Sequence, residues 1–234
     1  MDFSNAADMY VGSSPVKEVW MNGKLVWHRP NNIGLMLTGG QIIDYTQVMA
    51  EGKTYELSEV VGVTVKEAEV SFVIHPKYGN NGKTCYFSSG SKRVPSLFFP
   101  GTEYQSTTYY NGYEDTQIII DEFGTYNNDW AAPSAKGTTF NNGESGYLMS
   151  SGEAVIIYRN SDKINDMLAK INGADTIVDG KGIWTSTGIS AKEDTGYIYQ
   201  VWYLMENPTP VHRIDGVNVQ SMKYVRPIAR LINN

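Results

Sequence analysis

The sequence predicts an α+β fold of short twisted strands, two to three short helices and long loops, preceded by an N-terminal β-hairpin. Three observations carry the prediction. Short strand-forming runs, punctuated by Gly, Asn and Pro, fill the first and last parts of the chain, whereas helical periodicity is confined to the middle. Rings and turn formers are abundant, with 16 Tyr, 5 Trp and 23 Gly in 234 residues, which suits loop-rich β structure. The hydrophobic share of 41% against 19% charged residues is that of a chain with a packed core rather than a disordered one.

The first element is the hairpin. Val16 to Met21 and Lys24 to Trp27 flank Asn22-Gly23, the residue pair that a two-residue type I′ turn demands. So short a hairpin is marginal alone. It is expected to dock onto the remaining chain, a second subunit or a larger assembly. Arg29-Pro30-Asn31-Asn32 reads as a turn or linker, which divides the chain into segment 1–30 and domain 31–234. Strands are then predicted at Ile33 to Leu37, Gln41 to Tyr45, Val60 to Val65, Val70 to Ile74 and Thr84 to Phe87. Gly39-Gly40 and Gly79-Asn80-Asn81-Gly82 are the turns among them.

Three helices follow. Asp115 is placed to cap one that runs through Ile118, Ile119 and Phe123 and is closed by Gly124. Ser150 with Glu153 three residues on forms a capping box ahead of Val155, Ile156 and Tyr158. After Ser161, the residues Ile164, Met167, Leu168 and Ile171 lie at i, i+3, i+4 and i+7, one apolar face, and Asn172-Gly173 ends that helix. Strands return at Gly182 to Thr185, Ile198 to Met205, Val217 to Gln220 and Lys223 to Leu231.

Charge and cysteine usage exclude several function classes. With a net charge of -6 and its 19 basic residues scattered, the chain lacks the clustered cations that neutralise phosphates, so no nucleic-acid partner is expected. A single cysteine, Cys85, allows neither an intramolecular disulfide framework nor a cysteine-ligated zinc site; it is expected to pack as a small apolar residue in a strand. No secretory leader is read at Met1 to Asn5, and no apolar run approaches the ~18 residues of a membrane span.

Nor do the reactive residues assemble into a catalytic pattern. Gly82-Lys83-Thr84 resembles the end of a phosphate-binding loop, but Lys77 stands where the motif requires its first Gly, and Cys85-Tyr86-Phe87 favours a strand over the required helix. Glu206-Asn207-Pro208 and Asn128-Asp129-Trp130 permute the calcium and sugar motifs of animal C-type lectins; calcium wants six to eight oxygens and neither site offers such a cluster. His28, His75 and His212 are far apart and lack metal-binding spacing. There is no Gly-x-Ser-x-Gly elbow. Glu114 with Asp115, and Asp121 with Glu122, read as helix-start charges on a solvated face. No catalytic residue, metal or cofactor is therefore expected.

Three stretches carry a resemblance: Gly146-Tyr147-Leu148-Met149-Ser150-Ser151-Gly152-Glu153, Gly182-Ile183-Trp184-Thr185-Ser186-Thr187 and Tyr224-Val225-Arg226-Pro227-Ile228. In this order they resemble a C-type-lectin-like module of bacterial surface proteins and bacteriophage virion proteins, with Met149 where Pro is usual and Gly188 where an acidic residue is common. The resemblance covers residues 33–232 by pattern and is firmest from Gly112 onward. It implies a C-type-lectin-like fold for 31–234, with Trp184 in the core of a central strand and Arg226 in a structural hydrogen-bond or ion-pair contact. It implies further that the loops Ser186 to Tyr197 and Tyr203 to Ser221 form the binding face. There Tyr197, Tyr203, Asn207, His212 and Arg213 are the ligand-binding candidates, able to stack on a sugar ring or donate to its hydroxyls; packing against a neighbouring copy is the other use of that face.

A second resemblance lies in Met9 to Trp27, which is similar to short N-terminal segments of phage structural proteins and names Tyr10, Val16, Trp20, Leu25 and Trp27 as virion-attachment residues. Together the two imply a structural virion protein, a head or tail fibre or decoration subunit. Its partners would be capsid or tail proteins, further copies of itself in a homo-oligomer, most simply a trimer, and host-surface glycans, with no membrane partner. A bacterial cell-surface adhesin module and a glycan-processing enzyme are the alternatives.

Overall fold

The computed structural model describes residues 32–67, 70–87, 109–124, 129–177, 182–189 and 222–231. For 10–11, 14–15, 18–21, 24–28, 98–99, 188–189, 200–205 and 213–218 it gives the course and pairing of the backbone alone. The fold is mixed α+β with mostly antiparallel pairing.

Four short strands come first. β1 (Tyr10–Val11) pairs antiparallel with β2 (Ser14–Pro15). β3 (Glu18–Met21) pairs antiparallel with β4 (Lys24–His28), Met21 opposite Lys24; the predicted turn residues Asn22 and Gly23 lie outside the described residues.

The main sheet is built from β5 (Ile33–Leu37), β6 (Ile42–Asp44), β8 (Val60–Glu67), β9 (Val70–Ile74) and β17 (Ile228–Arg230), in the order β17-β9-β8-β5-β6 and antiparallel throughout. One face carries Ile33, Leu35, Val63, Val65, Phe72 and Ile74. These pack on Ile156 and Ile157 of one helix and on Ile164, Met167 and Leu168 of the next. The other face carries Met36, Val61, Val73, Ala229 and Leu231, covered by Phe140. Period-two alternation explains most of this division. A bulge explains the rest: Met36 opposes Gly62 but Leu37 opposes Val60, so Val61 is the extra residue, and the alternation flips there. Val60 thereby joins the main core and Val61 the opposite face.

Gly62 beside this bulge is a close-approach position. A Cβ there would stand 2.2 Å from the Ile74 carbonyl oxygen and 2.7 Å from a Val73 methyl. Gly62→Ala is therefore expected to destabilise the fold by roughly 1–3 kcal/mol through overpacking, read as a lower denaturant midpoint with an unchanged slope. An unchanged midpoint would show that the sheet relaxes at no cost.

Two helices lie outside the sequence prediction. α1 (Tyr45–Glu51) follows directly on β6: the Asp44 carboxylate accepts the Thr46 amide at 2.7 Å, and Gly52 closes the helix at φ 63°. α3 (Ala131–Lys136) is the other. The predicted helices form with shifted limits. α2 (Gly112–Phe123) starts ahead of Asp115, which lies inside the first turn rather than capping it. α4 (Ser151–Arg159) is capped by Ser150, and both bonds of the predicted box are made. α5 (Ser161–Ala169) stops before Ile171, because Ile171 and Asn172 leave the helix as β12 (Ile171–Asn172) and pair parallel with β7 (Tyr55–Glu56).

A second sheet, in the order β11-β13-β14-β15, joins β11 (Phe98–Phe99), β13 (Ile183–Ile189), β14 (Gln200–Met205) and β15 (Arg213–Asn218). Beside it sits a smaller core of Cys85, Phe87, Ile119, Ala131, Ala132, Leu148, Trp184 and Val225. Trp184 is fully buried and its indole N–H donates to the Cys85 carbonyl at 2.8 Å. Cys85 itself lies in β10 (Cys85–Tyr86), which pairs with β16 (Met222–Lys223). The predicted strand over Lys223 to Leu231 is thus two strands, and the stretch between them, Tyr224 to Pro227, makes the contacts that matter for the site.

Candidate functional site

The three motif stretches converge. The Ser186 amide donates to the Met149 carbonyl at 2.8 Å and the Ser151 amide to the Thr187 hydroxyl at 3.0 Å, tying the first stretch to the second. Trp184 N donates to the Tyr224 carbonyl, and Tyr224 N to the Gly182 carbonyl, both at 2.9 Å, tying the second to the third. Tyr147 and Ile228 exchange amide–carbonyl bonds at 2.8 and 3.1 Å and close the circuit.

Arg226 sits beside this junction, fully buried. One terminal guanidinium nitrogen donates to the His75 carbonyl at 3.0 Å, the other to the Asp175 and Thr176 carbonyls at 2.8 and 3.2 Å. The guanidinium carbon lies 3.8 Å from the centre of the Tyr78 ring. Burial pulls its pKa below the ordinary value, opposed by the neighbouring Tyr78 and Asp175. Asp175 in turn accepts the Tyr78 amide at 3.2 Å and faces the Lys77 ammonium at 3.3 Å. The Gly79 amide donates to Val225 O at 2.9 Å and the His75 amide to Pro227 O at 3.0 Å. Residues 75–79, 175–176 and 225–227 are thereby fixed to one another. The expectation of a structural contact for Arg226 takes a definite form: backbone carbonyls and an aromatic face.

His75, Lys77, Tyr78, Gly79 and Asp175 from these segments line a cleft of about 640 Å³ together with Ser134 and the turn Gly137 to Thr139 after α3. Its floor passes through Asn80, Asn81 and Gly82, all three in the left-handed region at φ 49°, 52° and 76°, a conformation Asn and Gly tolerate best. Gly82-Lys83-Thr84 leads from there into β10 rather than into a helix. A second cleft of about 440 Å³ adjoins it, sharing Asn80 and Gly82 and bounded by Tyr86, Asp129 and Met222. Within the first cleft, burial lowers the His75 pKa, so the imidazole is neutral at pH 7, and its Nδ1 accepts the Lys77 amide at 3.1 Å.

Two carboxyls are buried elsewhere, against expectation for Asp115, which is only 1% exposed. Asp115 accepts from the Tyr109 hydroxyl at 2.8 Å and the Ser186 hydroxyl at 3.1 Å, and burial pushes its pKa up to about 6. Glu153 accepts from the Ser150 amide at 2.6 Å, the Ser150 hydroxyl at 2.8 Å and the Tyr147 hydroxyl at 2.9 Å. Burial raises it to about 7, and the Asp115 charge adds to the rise. Their geometry is that of structural acceptors, since each oxygen is aimed at an internal donor.

Of the ligand-binding candidates, Tyr197, Asn207 and His212 lie outside the described residues. Tyr203 stands opposite Trp184 and Asp215 in the second sheet, and Arg213 opposite Met205. Tyr203 lies in the strand predicted over Ile198 to Met205, at the edge of the loop assigned to binding, whereas Arg213 begins a strand where a loop was read, because β14 and β15 pair as far as Met205 and Arg213. Among the attachment candidates, Tyr10 is in β1, Trp20 in β3 opposite Leu25 in β4, and Trp27 in β4 opposite Val19; Val16 lies outside the described residues. Among the described residues, no group of three or more His, Cys, Asp or Glu side chains is placed to hold a metal ion. None of the described helices is long and apolar enough to cross a membrane. The cleft was not foreseen; the signal that could have located it is the Gly-Asn-Asn-Gly turn at 79–82, whose asparagines combine left-handed backbone with amide side chains. No family model, no curated protein and no solved structure matches the chain.

Proposed function

We propose that this chain is a structural subunit of a bacteriophage virion, a head or tail fibre or decoration protein. Domain 31–234 would be a C-type-lectin-like module displayed to the host surface, and segment 1–30 its attachment to the particle. The observation that carries this reading is the convergence of the three motif stretches. They are separated in sequence by tens of residues, yet bonded pairwise through Met149–Ser186, Trp184–Tyr224 and Tyr147–Ile228. Residues that carry a resemblance by chance have no reason to meet; residues that specify one fold do. The pairing of β3 with β4 supports the attachment role, since so small an element gains stability from what it docks against. Several copies on one particle would raise weak single-site binding to useful avidity, for which a trimer is the simplest arrangement.

The test is immunogold electron microscopy with an antibody to residues 33–234 on purified phage particles. Label on capsid or tail is the expected result. Bare particles with label on the bacterial surface instead would replace this reading with a cell-surface adhesin. Deletion of residues 1–30 is expected to leave a folded domain, with its circular dichroism spectrum and cooperative melting retained, that no longer co-purifies with particles. Incorporation of the truncated chain would remove the attachment role.

A further inference from the structure

We propose that the cleft between residues 77–82 and the turn after α3 binds a short neutral saccharide. The inference deepens the display reading and rests on it for the source of the sugar, a glycan of the host surface. Its volume of about 640 Å³ falls within the roughly 300–1,000 Å³ usual for small-molecule sites.

The electrostatics of the lining select against charged ligands. Lys77 faces Asp175 at 3.3 Å, so the cationic and anionic groups of the wall largely cancel. His75 is neutral and its Nδ1 is already engaged by a backbone amide. An anion would find little uncompensated positive charge, and among the described residues no carboxylate–imidazole cluster is placed for a cation.

What the cleft offers is uncharged hydrogen-bonding capacity. Asn81 and Thr139, both exposed, present an amide and a hydroxyl to it. The Ser134 hydroxyl and the Asn80 side-chain nitrogen are closed off from solvent and turn toward the buried Cys85 sulfur, a weak acceptor, so they shape the lining without reaching a ligand. Amides and hydroxyls, which both donate and accept, match the hydroxyl groups of a sugar ring.

The site is also pre-organised. Successive left-handed residues at 80–82 hold the floor in a conformation that costs free energy and persists because its surroundings fix it. The Arg226 contacts fix the backbone of His75 and Asp175, which line the cleft, before any ligand arrives, which lowers the ordering penalty of binding. The adjoining cleft carries Tyr86, 42% exposed, and Met222, 49% exposed. That apolar platform is placed to pack against a second sugar unit once the first is held in the polar cleft.

The full chain is tested on a printed array of neutral mono- and oligosaccharides, and the best binder is then titrated by calorimetry against three proteins. One is the wild type. The second is Asn81→Gly/Thr139→Val, in which Gly keeps the left-handed backbone and Val the shape of Thr. The third is Tyr203→Ala, in the second sheet. Binding by the wild type, weakened at least tenfold in the double variant at unchanged melting temperature and retained in Tyr203→Ala, is the expected result. Full binding by the double variant with loss in Tyr203→Ala would overturn the cleft and leave the display reading standing. An array on which the wild type binds nothing overturns the saccharide assignment, while particle labelling decides the display reading separately.

Discussion

Arg226→Ala is expected to lower the unfolding free energy by roughly 3 kcal/mol or more, a large part of the ~5–15 kcal/mol of a typical domain. Opposing terms set that figure. The buried guanidinium was desolvated at a cost of several kcal/mol, and its removal relieves that cost. Against this, three carbonyls, of His75, Asp175 and Thr176, lose their donor inside the protein, at about 1–3 kcal/mol each. The Tyr78 face loses its cation, and a cavity of nearly a whole arginine side chain remains. The orphaned carbonyls and the cavity together outweigh the relief.

Arg226→Lys tests the geometry separately from the charge. An ammonium is a compact point donor that cannot span both the His75 carbonyl and the Asp175–Thr176 pair. The lysine variant is therefore expected to recover less than half of the loss. Equilibrium denaturation followed by tryptophan emission measures both. If alanine costs under about 1 kcal/mol, the guanidinium is not what joins these segments. The same variant should loosen the cleft wall, so any ligand bound there is lost as well.

How much of this was legible in the sequence depends on the distance between partners. The pairing of Glu18–Met21 with Lys24–His28, the Ser150–Glu153 box and the Ile164, Met167 and Leu168 face follow from local patterns, and all three form. α1 was hidden because its seven residues bury Val48 alone, which leaves no periodicity to detect. α3 was hidden for the opposite reason: Ala131, Ala132, Pro133, Ser134 and Ala135 are all buried, so no face is distinguished, and Pro133 sits within the first turn, where its missing N–H does no harm.

Asp115 was read as solvated because a carboxylate is seldom buried without partners. Its partner Ser186 lies 71 residues away, a relation no local pattern encodes. The Arg226 acceptors lie 50 to 151 residues away and are backbone oxygens, identical in every sequence. The cleft joins the local turn at 79–82 to Ser134, residues 137–139 and Asp175, which only long-range relations bring to it. The sequence reading placed the binding face on Tyr197, Tyr203, Asn207, His212 and Arg213, whereas the described lining of the cleft comes from residues 75, 77–82, 134, 137–139 and 175.

Raising the pH from about 5.5 to 8.5 is expected to destabilise the domain, chiefly through Glu153. Two effects compete at this carboxyl. Donation from Ser150 N, Ser150 Oγ and Tyr147 Oη favours the ionised form, whereas near-complete burial and the Asp115 charge favour the neutral one. Burial prevails, and the folded pKa of about 7 stands above the ordinary 4.5. The folded state thus binds the proton more tightly than the unfolded chain does. The stabilisation is complete below the unfolded value and is lost as pH climbs through the folded one. A gap of this size corresponds to roughly 3 kcal/mol. Asp115, raised from 3.8 to about 6, acts in the same direction over a slightly lower range.

His75 acts in the opposite direction. Its folded pKa is lowered, so it withdraws stability as pH falls below its ordinary 6.5 and contributes nothing to the alkaline decline. Tyr147, held well above its ordinary 10.0, stays protonated throughout and remains available to donate. Glu153→Gln isolates the carboxyl: its amide oxygen can still accept the Ser150 amide, but it carries no titrating proton. Denaturation midpoints at pH 5.5, 7 and 8.5 should fall in the wild type and flatten in this variant. Glu153→Ala should instead cost most at pH 5.5, roughly 3 kcal/mol, because the Ser150 donors and the Tyr147 hydroxyl lose their acceptor in the core, and progressively less toward pH 8.5, where the wild type has lost the stability that the protonated carboxyl supplied. A wild-type midpoint that rises between pH 5.5 and 8.5 would mean that the internal donors outweigh burial, and that Glu153 sits in the fold as a fully ionised cap.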